Sequence, residues 1–534
     1  TVNETTVKFA ATITTRRTEI LLVAAEVVLA LLAAGVLAFW SRSINVNPLV
    51  RTGQVSGLAG LQLRFAILGI VLVAAVMIVV RLRGSAVVPV VTRLGSATLS
   101  GLVSGMLAGG VTLALRGTSL PFFGTMSGGD FATIARWAQS IVAGHSTLQS
   151  FYPPLPVYTL AWFSELTGVN VEFAFKDLEF IGAALFGPVA YLSWRLLLRP
   201  LPALAVGVIA ALPLIELYKP YENLVLIALV PVLTKLLQYV RTAPERNYRQ
   251  LVISGVLFGV ALGICFLSYS GWFVWSALGF GAALLIVLPY RRGLLKALTV
   301  IGVTAVVMVA MCWQQITALL SASSSIKDTY FYFDTGVDPA YIAMWRGPFP
   351  GNIGVWPPPG ELGGVGLFTI ILGLGLAAAL FLGLRNTVVI TAACCFAGAW
   401  LMRFYYASQM YQQQAVQLYP RTTMEILYCL LLLTLLAVML GWEKLRESTV
   451  ALLRKGTSAL TGRGRALPAG LIGAFCALLL VLGSAGSATV DNYLPRDDNS
   501  MGELAWVGQT SRMPNGHCSV YLAPDCKTVI NTHP

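Results

Sequence analysis

Apolar runs of about twenty residues recur along the chain, separated by short polar stretches rich in Lys and Arg. Each run is long enough to cross a hydrocarbon core of roughly 30 Å as a helix. The pattern predicts spans over Ile20 to Trp40, Leu58 to Val80, Gly95 to Leu115, Leu178 to Trp194, Leu201 to Leu217 and Asn223 to Val240. It continues with Leu251 to Leu267, Trp272 to Pro289, Leu295 to Cys312, Val365 to Leu384, Thr387 to Leu401, Thr422 to Leu440 and Ala469 to Ala488. The expected architecture is therefore an all-α polytopic membrane protein of about 13 transmembrane helices, occupying residues 1–488. The first run is too long for a signal peptide and reads as a retained helix.

Basic residues flank these runs in clusters: Arg16 and Arg17; Arg81, Arg83 and Arg93; Arg195 and Arg199; Arg241, Arg246 and Arg249; Arg291, Arg292 and Lys296; and Lys444 to Arg465. With the N-terminus inside, every cluster falls on the cytoplasmic side, as the positive-inside rule requires. The condition is that the short stretch Leu155 to Leu166, which follows two prolines, does not cross and forms a half-helix or re-entrant hairpin. Composition agrees: 57% of residues are hydrophobic and 11% charged, and the mean hydropathy is +0.76. A soluble domain is excluded. The net charge of +13 is carried by loop clusters rather than by a stripe with interleaved aromatics, which argues against a nucleic-acid partner.

Cys265, Cys312, Cys394, Cys395, Cys429 and Cys476 lie in apolar runs, where a thiol packs as a small hydrophobe. Cys518 and Cys526 lie in the polar tail 489–534, expected outside the cytoplasm, where a disulfide between them can persist. The three histidines form no ligand-spaced set with cysteines, so no zinc site is expected, and no Gly-rich Lys-Ser/Thr phosphate loop is present.

An ionisable group at membrane depth costs several kcal/mol unless paired or hydrated, so chemistry is sought where polar residues interrupt the pattern. Four regions qualify. In the external loop 116–154, Ser127-Gly128-Gly129-Asp130 precedes Phe131, Ile134, Ala135, Ala138, Ile141 and Val142 at helical spacing, then Phe151-Tyr152-Pro153-Pro154. The spacing predicts a juxtamembrane helix lying on the membrane with Asp130 at its N-terminus, serving either as a cap or as a general base.

Phe175-Lys176-Asp177-Leu178-Glu179 and Glu216 to Asn223 mix cations with carboxylates. They suit interfacial snorkelling and anchoring, or a site where Lys176 and Lys219 neutralise a phosphodiester while Glu or Asn bonds sugar hydroxyls. Tyr269 and Trp272, in another outer turn, offer an aromatic face. The segment Arg403 to Arg421, with Gln412, Gln413, Gln414 and Gln417, suits carbohydrate hydroxyls or a solvated loop, and Arg421 suits an anionic lipid head. The loop 314–362 has a composition fit for a lid or groove.

Several short motifs together carry a resemblance. Gly53-Gln54-Val55 with Leu58-Ala59-Gly60-Leu61 opens the second span, a lone Asp130 follows the third, and Phe151-Tyr152-Pro153-Pro154 comes next, followed by Phe175-Lys176. Pro220-Tyr221 precedes a span, the Gly259/Gly263 span runs into Tyr269, and Arg421 opens a late helix. In this order, from about Arg51 to Leu440, the chain resembles the actinobacterial galactan 5-O-arabinofuranosyltransferases, which prime cell-wall arabinan and belong to the GT-C superfamily.

The resemblance implies a GT-C helical bundle in the plasma membrane with its active site on the extracytoplasmic side. It implies inverting transfer of arabinofuranose from decaprenylphosphoryl-arabinose to a lipid-linked galactan, with no metal and no cofactor beyond the lipid donor. It puts the catalytic carboxylate at Asp130. The donor phosphate would be held by Lys176, Lys219 and Arg421, and the sugars by Tyr152, Tyr221, Glu222, Tyr269, Trp272 and Gln417. The family carries a sizeable extracytoplasmic C-terminal domain where this chain has about 45 residues after its last expected span, so the tail is expected to begin such a domain or to replace it. A flippase or transporter for a polyprenyl-phosphate sugar, and a GT-C transferase for another sugar or acceptor, remain alternative readings.

Overall fold

The computed structural model describes residues 16–41, 51–52, 55–56, 63–64, 67–74, 78, 88–114, 129–145, 151–214, 219–322, 367–413 and 422–455. The second expected span is described only in part, and Ala469 to Ala488, the tail, Cys476, Cys518 and Cys526 lie outside the described residues.

Apart from a two-residue antiparallel pairing of Arg51–Thr52 with Val55–Ser56, the architecture is helical. In chain order the helices are α1 (Arg16–Ser41), α2 (Val88–Ala114), α3 (Gly129–Val142), α4 (Pro154–Thr167), α5 (Val171–Arg195) and α6 (Pro200–Leu214). They continue with α7 (Pro220–Arg241), α8 (Tyr248–Ser268), α9 (Gly271–Val287), α10 (Leu294–Ala322), α11 (Leu367–Gly383), α12 (Thr387–Gln413) and α13 (Thr422–Lys455). Among the described residues, seven helices are long and apolar enough to cross a membrane, and three shorter apolar helices accompany them.

Local sequence explains where several helices begin and end. Asn170 caps α5, its side chain accepting from the Glu172 N–H at 3.1 Å, and Asn247 does the same for α8 toward Gln250 at 2.9 Å. Pro154 and Pro220 stand at the first positions of α4 and α7, where a missing N–H costs nothing. Gly168 closes α4 at φ 67°, a left-handed conformation that favours glycine. Within α6, a single π turn at Leu204–Val208 carries Gly207 so close to Ala190 and Trp194 of α5 that a methyl group there would collide with both.

Three neighbourhoods organise the bundle. α1 lies along α2 and α2 along α5, and glycines set the spacing: side chains at Gly101, Gly105 or Gly187 would strike the backbones of Ala30, Ala34 and Ser100. α9, α12, α13 and α11 form a second group, with Gly279 of α9 against Cys394 and Gly398 of α12. α8 and α10 pair with each other, and much of their outward surface (Leu257, Ile264, Val306) is exposed and apolar, as a lipid-facing surface would be. The main core joins α5, α6, α7, α9, α12 and α13. Trp194 donates to the Tyr428 hydroxyl at 3.1 Å, and that hydroxyl donates to the Ile227 carbonyl at 3.3 Å, tying three of these helices through their polar atoms.

The bundle has two chemically distinct ends. At one, Glu26 of α1 is buried and receives Arg93 at 2.8 Å, Arg195 at 3.2 Å and the Tyr191 hydroxyl at 3.2 Å, while Glu19 takes a second arm of Arg93 at 2.8 Å. Lys235 bonds the Leu196 carbonyl, Arg241 the Arg385 carbonyl, and Lys296 the carbonyls of Pro244 and Arg246. Basic residues from four of the sequence clusters thus gather at a single end, as the alternating-span pattern requires.

At the opposite end lie the head of α7, the start of α9 and the tail of α10. Both termini of α4 belong there: Tyr152 precedes it and meets Tyr221 at the head of α7, and Gly168 to Asn170 lead into the head of α5, whose tail reaches the basic end. The stretch Leu155 to Leu166 thus begins and ends on the same side of the bundle.

Several helices run past the boundaries of the sequence reading. α10 continues to Ala322 and α12 to Gln413, so the first part of the 314–362 loop and of the Arg403 to Arg421 segment is helix rather than loop. α5 begins at Val171, placing Lys176 and Glu179 on its first turns. Polar side chains end an apolar run without ending helix propensity, and a helix can extend past the membrane boundary.

Candidate functional site

α3 is amphipathic as expected. Ile134, Ala135 and Ala138 are buried against α2, α4 and α5, while Trp137 packs on the Tyr152 ring at 5.6 Å. Asp130 is the second residue of this helix, on the turn where free N–H groups favour an anion. Its side chain lies outside the description.

From α3 the contacts lead inward. The Tyr152 hydroxyl bonds the Tyr221 hydroxyl. Tyr221 and Glu222 occupy the first turn of α7, and the Trp272 indole N–H donates to the Glu222 carbonyl at 2.6 Å, fixing the head of α9 to that of α7. Tyr269, Trp272 and Trp275 form an aromatic group with ring centroids 5.0 to 6.3 Å apart. Lys219 caps α7 at φ 55°, the sole positive-φ residue other than glycine among the described residues, and its ammonium pairs with Glu222 at 3.2 Å. A left-handed lysine costs about 1–2 kcal/mol relative to its right-handed form, so surrounding contacts must hold it.

Glu179 supplies the most unusual chemistry. Its side chain is 2% exposed, and among the described residues neither carboxylate oxygen receives a hydrogen bond of good geometry. The backbone N–H of Lys219 lends it favourable electrostatics without bonding geometry. α5 and α7 approach closely here: a methyl group on Gly182, one turn along from Glu179, would strike the Pro220 ring. Buried polar groups are nearly always bonded, and an orphaned buried carboxylate needs an explanation.

Of the residues expected at the site, Tyr152, Lys219, Tyr221, Glu222, Tyr269 and Trp272 are brought into one connected group. Lys176 stands on the first turns of α5 with its ammonium over the Phe173 ring at 5.4 Å, one turn from Glu179. Arg421 and Gln417 lie outside the described residues. Sequence reasoning had placed Glu179 in a charged segment without giving it a role; an acid inside an otherwise apolar run was the available signal. It overlooked Arg403, which is buried and bonds the Thr423 hydroxyl at 2.6 Å, and Gln315, whose amide donates to the Phe151 carbonyl. It also overlooked Glu425, fully buried and bonded by Ser276 at 2.6 Å. These pairings join positions 20 to 164 residues apart, and no local pattern announces them. The five described cysteines are free thiols within helices, as their apolar surroundings predict. No protein-family model and no curated protein matches the chain.

Proposed function

We propose that the chain is an inverting membrane glycosyltransferase that moves a sugar, arabinofuranose by the resemblance stated above, from a decaprenyl-phosphate carrier to a lipid-linked galactan. The observation that carries this reading is the gathering of a lysine, two carboxylates, paired tyrosine hydroxyls and a tryptophan group at the non-basic end of the bundle. The helix that bears Asp130 packs beside them. A phospho-sugar offers a phosphate for Lys219, hydroxyls for carboxylate and tyrosine, and a ring face for tryptophan.

In this proposal the Asp130 carboxylate takes the proton of the acceptor hydroxyl as its oxygen attacks the anomeric carbon. The anomeric carbon–oxygen bond to phosphate breaks on the opposite face, and the lipid phosphate departs with the electron pair. Lys176, Lys219 and Arg421 stabilise the departing phosphate, and Tyr152, Tyr221, Glu222, Tyr269, Trp272 and Gln417 hold the sugars. By the positive-inside rule the basic end is cytoplasmic and the site faces out of the plasma membrane.

A general base contributes about 10² to 10⁴ in rate, so Asp130→Asn is expected to lose about that much turnover while its melting temperature is kept. Near-normal turnover would remove Asp130 from the mechanism. The second reading, a lipid-sugar flippase, draws on the same polar residues at membrane depth. Purified protein in detergent, given a radiolabelled polyprenyl-phosphate sugar and an oligosaccharide acceptor, separates the two. A transferase makes product without a membrane barrier; a flippase makes none.

A further inference from the structure

One residue before Tyr152, the Phe151 carbonyl is held by Gln315, and beside this contact opens a cavity of about 550 Å³ between α4, α8 and α10. Tyr158 and Trp162, one turn apart on α4, form one wall with ring centroids 6.0 Å apart. Gln314, Gln315 and Ser321 of α10 stand on the other. Among the described residues, no charged one lines it.

Its level relative to the bilayer follows from α10. That helix starts at the basic end, where Lys296 is bonded, and its 29 residues extend about 44 Å at 1.5 Å per residue. About twenty residues suffice for the hydrocarbon core, so the turns from Gln314 onward, which form the polar wall, stand at or beyond the far boundary. The Tyr158 hydroxyl and the Gln314 amide make no hydrogen bond among the described residues.

We infer that this cavity is a subsite for a neutral saccharide, the sugar units of the acceptor next to the reacting hydroxyl. The inference rests on the transferase reading for its role, though not for its chemistry. A sugar ring presents an apolar face that stacks on Tyr158 and Trp162, and hydroxyls that exchange hydrogen bonds with the Gln314 amide and the Ser321 oxygen. The described lining offers no cation to pair with a phosphate, which belongs with Lys219. A volume within the range of small-ligand pockets holds more than one sugar unit. A prenyl tail would instead leave the amides facing hydrocarbon, where their lost hydration is not replaced.

The test uses the full purified chain in detergent, without donor. Soluble neutral disaccharides of pentofuranosyl, hexofuranosyl and hexopyranosyl units are presented singly and read by saturation-transfer NMR. Binding of polyprenyl phosphate is read in parallel by native mass spectrometry. At least one disaccharide is expected to bind, and Trp162→Ala and Gln314→Ala are each expected to weaken it about tenfold, with polyprenyl phosphate binding and melting temperature retained. Both side chains are exposed at the rim, so neither change threatens the fold.

Three results overturn the inference: no disaccharide bound to the unaltered protein up to about 10 mM, saccharide binding kept in both variants, or polyprenyl phosphate binding lost in its place. The last would assign the cavity to the lipid tail. Saccharide binding without any transfer of radiolabelled sugar would leave the subsite standing and remove the transferase reading, so the two fail separately.

Discussion

The two ends of this bundle treat buried charge in opposite ways. At the basic end, the Glu26 carboxylate is shared by two arginines and a tyrosine, and Arg93 is shared in turn by Glu19. At the other end, Glu179 is equally buried and, among the described residues, is approached only by the Lys219 backbone N–H without good bonding geometry, while Lys219 holds a strained backbone conformation to face Glu222. Pairing at the first end fastens α1, α2 and α5 together. Incomplete pairing at the second carries a cost in stability that a bound ligand can offset, the usual trade between stability and function at a site.

The contrast can be broken by removing one carboxylate from each end. Beyond the rate loss expected of Asp130→Asn, the largest effect belongs to Glu26→Ala. It leaves two arginines without their shared anion and is expected to destabilise by about 3 kcal/mol, at the low end of the range for breaking a buried pair because both arginines are partly exposed. Thermal unfolding in detergent checks this, and an unchanged melting temperature would show the cluster to be decorative.

Next comes the packing between the ends. Gly279→Val pushes α9 away from the backbone of α12 at Cys394 and is expected to cost about 1–3 kcal/mol by overpacking. Because the aromatic group Trp272 and Trp275 rides on α9, turnover is expected to fall with it. The smallest effect has the opposite sign. Glu179→Gln removes a buried carboxylate that, among the described residues, receives no well-formed hydrogen bond, so stability is expected to hold or rise by up to about 1 kcal/mol while turnover falls. A lowered melting temperature would mean that Glu179 serves chiefly as an anion at the head of α7, and the contrast between the ends would lose its meaning.

Much of the fold was legible because lipid imposes simple rules. Apolar length marked the helices, Lys and Arg marked one end, and two prolines before a run too short to cross marked α4. What misled was equating the end of an apolar run with the end of a helix. Gln314, Gln315 and Ser321 break the run yet stay helical, and the cavity wall they build was read as loop.

The site was legible only as segments. Lys219, Tyr221 and Glu222 stood out as polar residues beside a span, and Tyr152 stood out beside two prolines. That the Tyr152 and Tyr221 hydroxyls meet across 69 residues, or that Glu179 receives no well-formed hydrogen bond among the described residues, depends on how α4, α5 and α7 converge, which no local periodicity encodes.

The π turn in α6 has a geometric consequence. From Pro200 to Leu214 that helix covers about 22 Å at 1.5 Å per residue, well short of a hydrocarbon core. It is sheathed by α2, α5 and α13 rather than by lipid, so its shortness thins no bilayer. It lowers the floor instead: the Leu214 carbonyl is taken by Asn223 of α7 at 2.8 Å, and Pro220 faces Gly182, eleven residues and about 16 Å inside the head of α5. On the transferase reading proposed above, a headgroup resting in its own leaflet would be gripped from the side, in a recess, without its prenyl chain being lifted from the membrane.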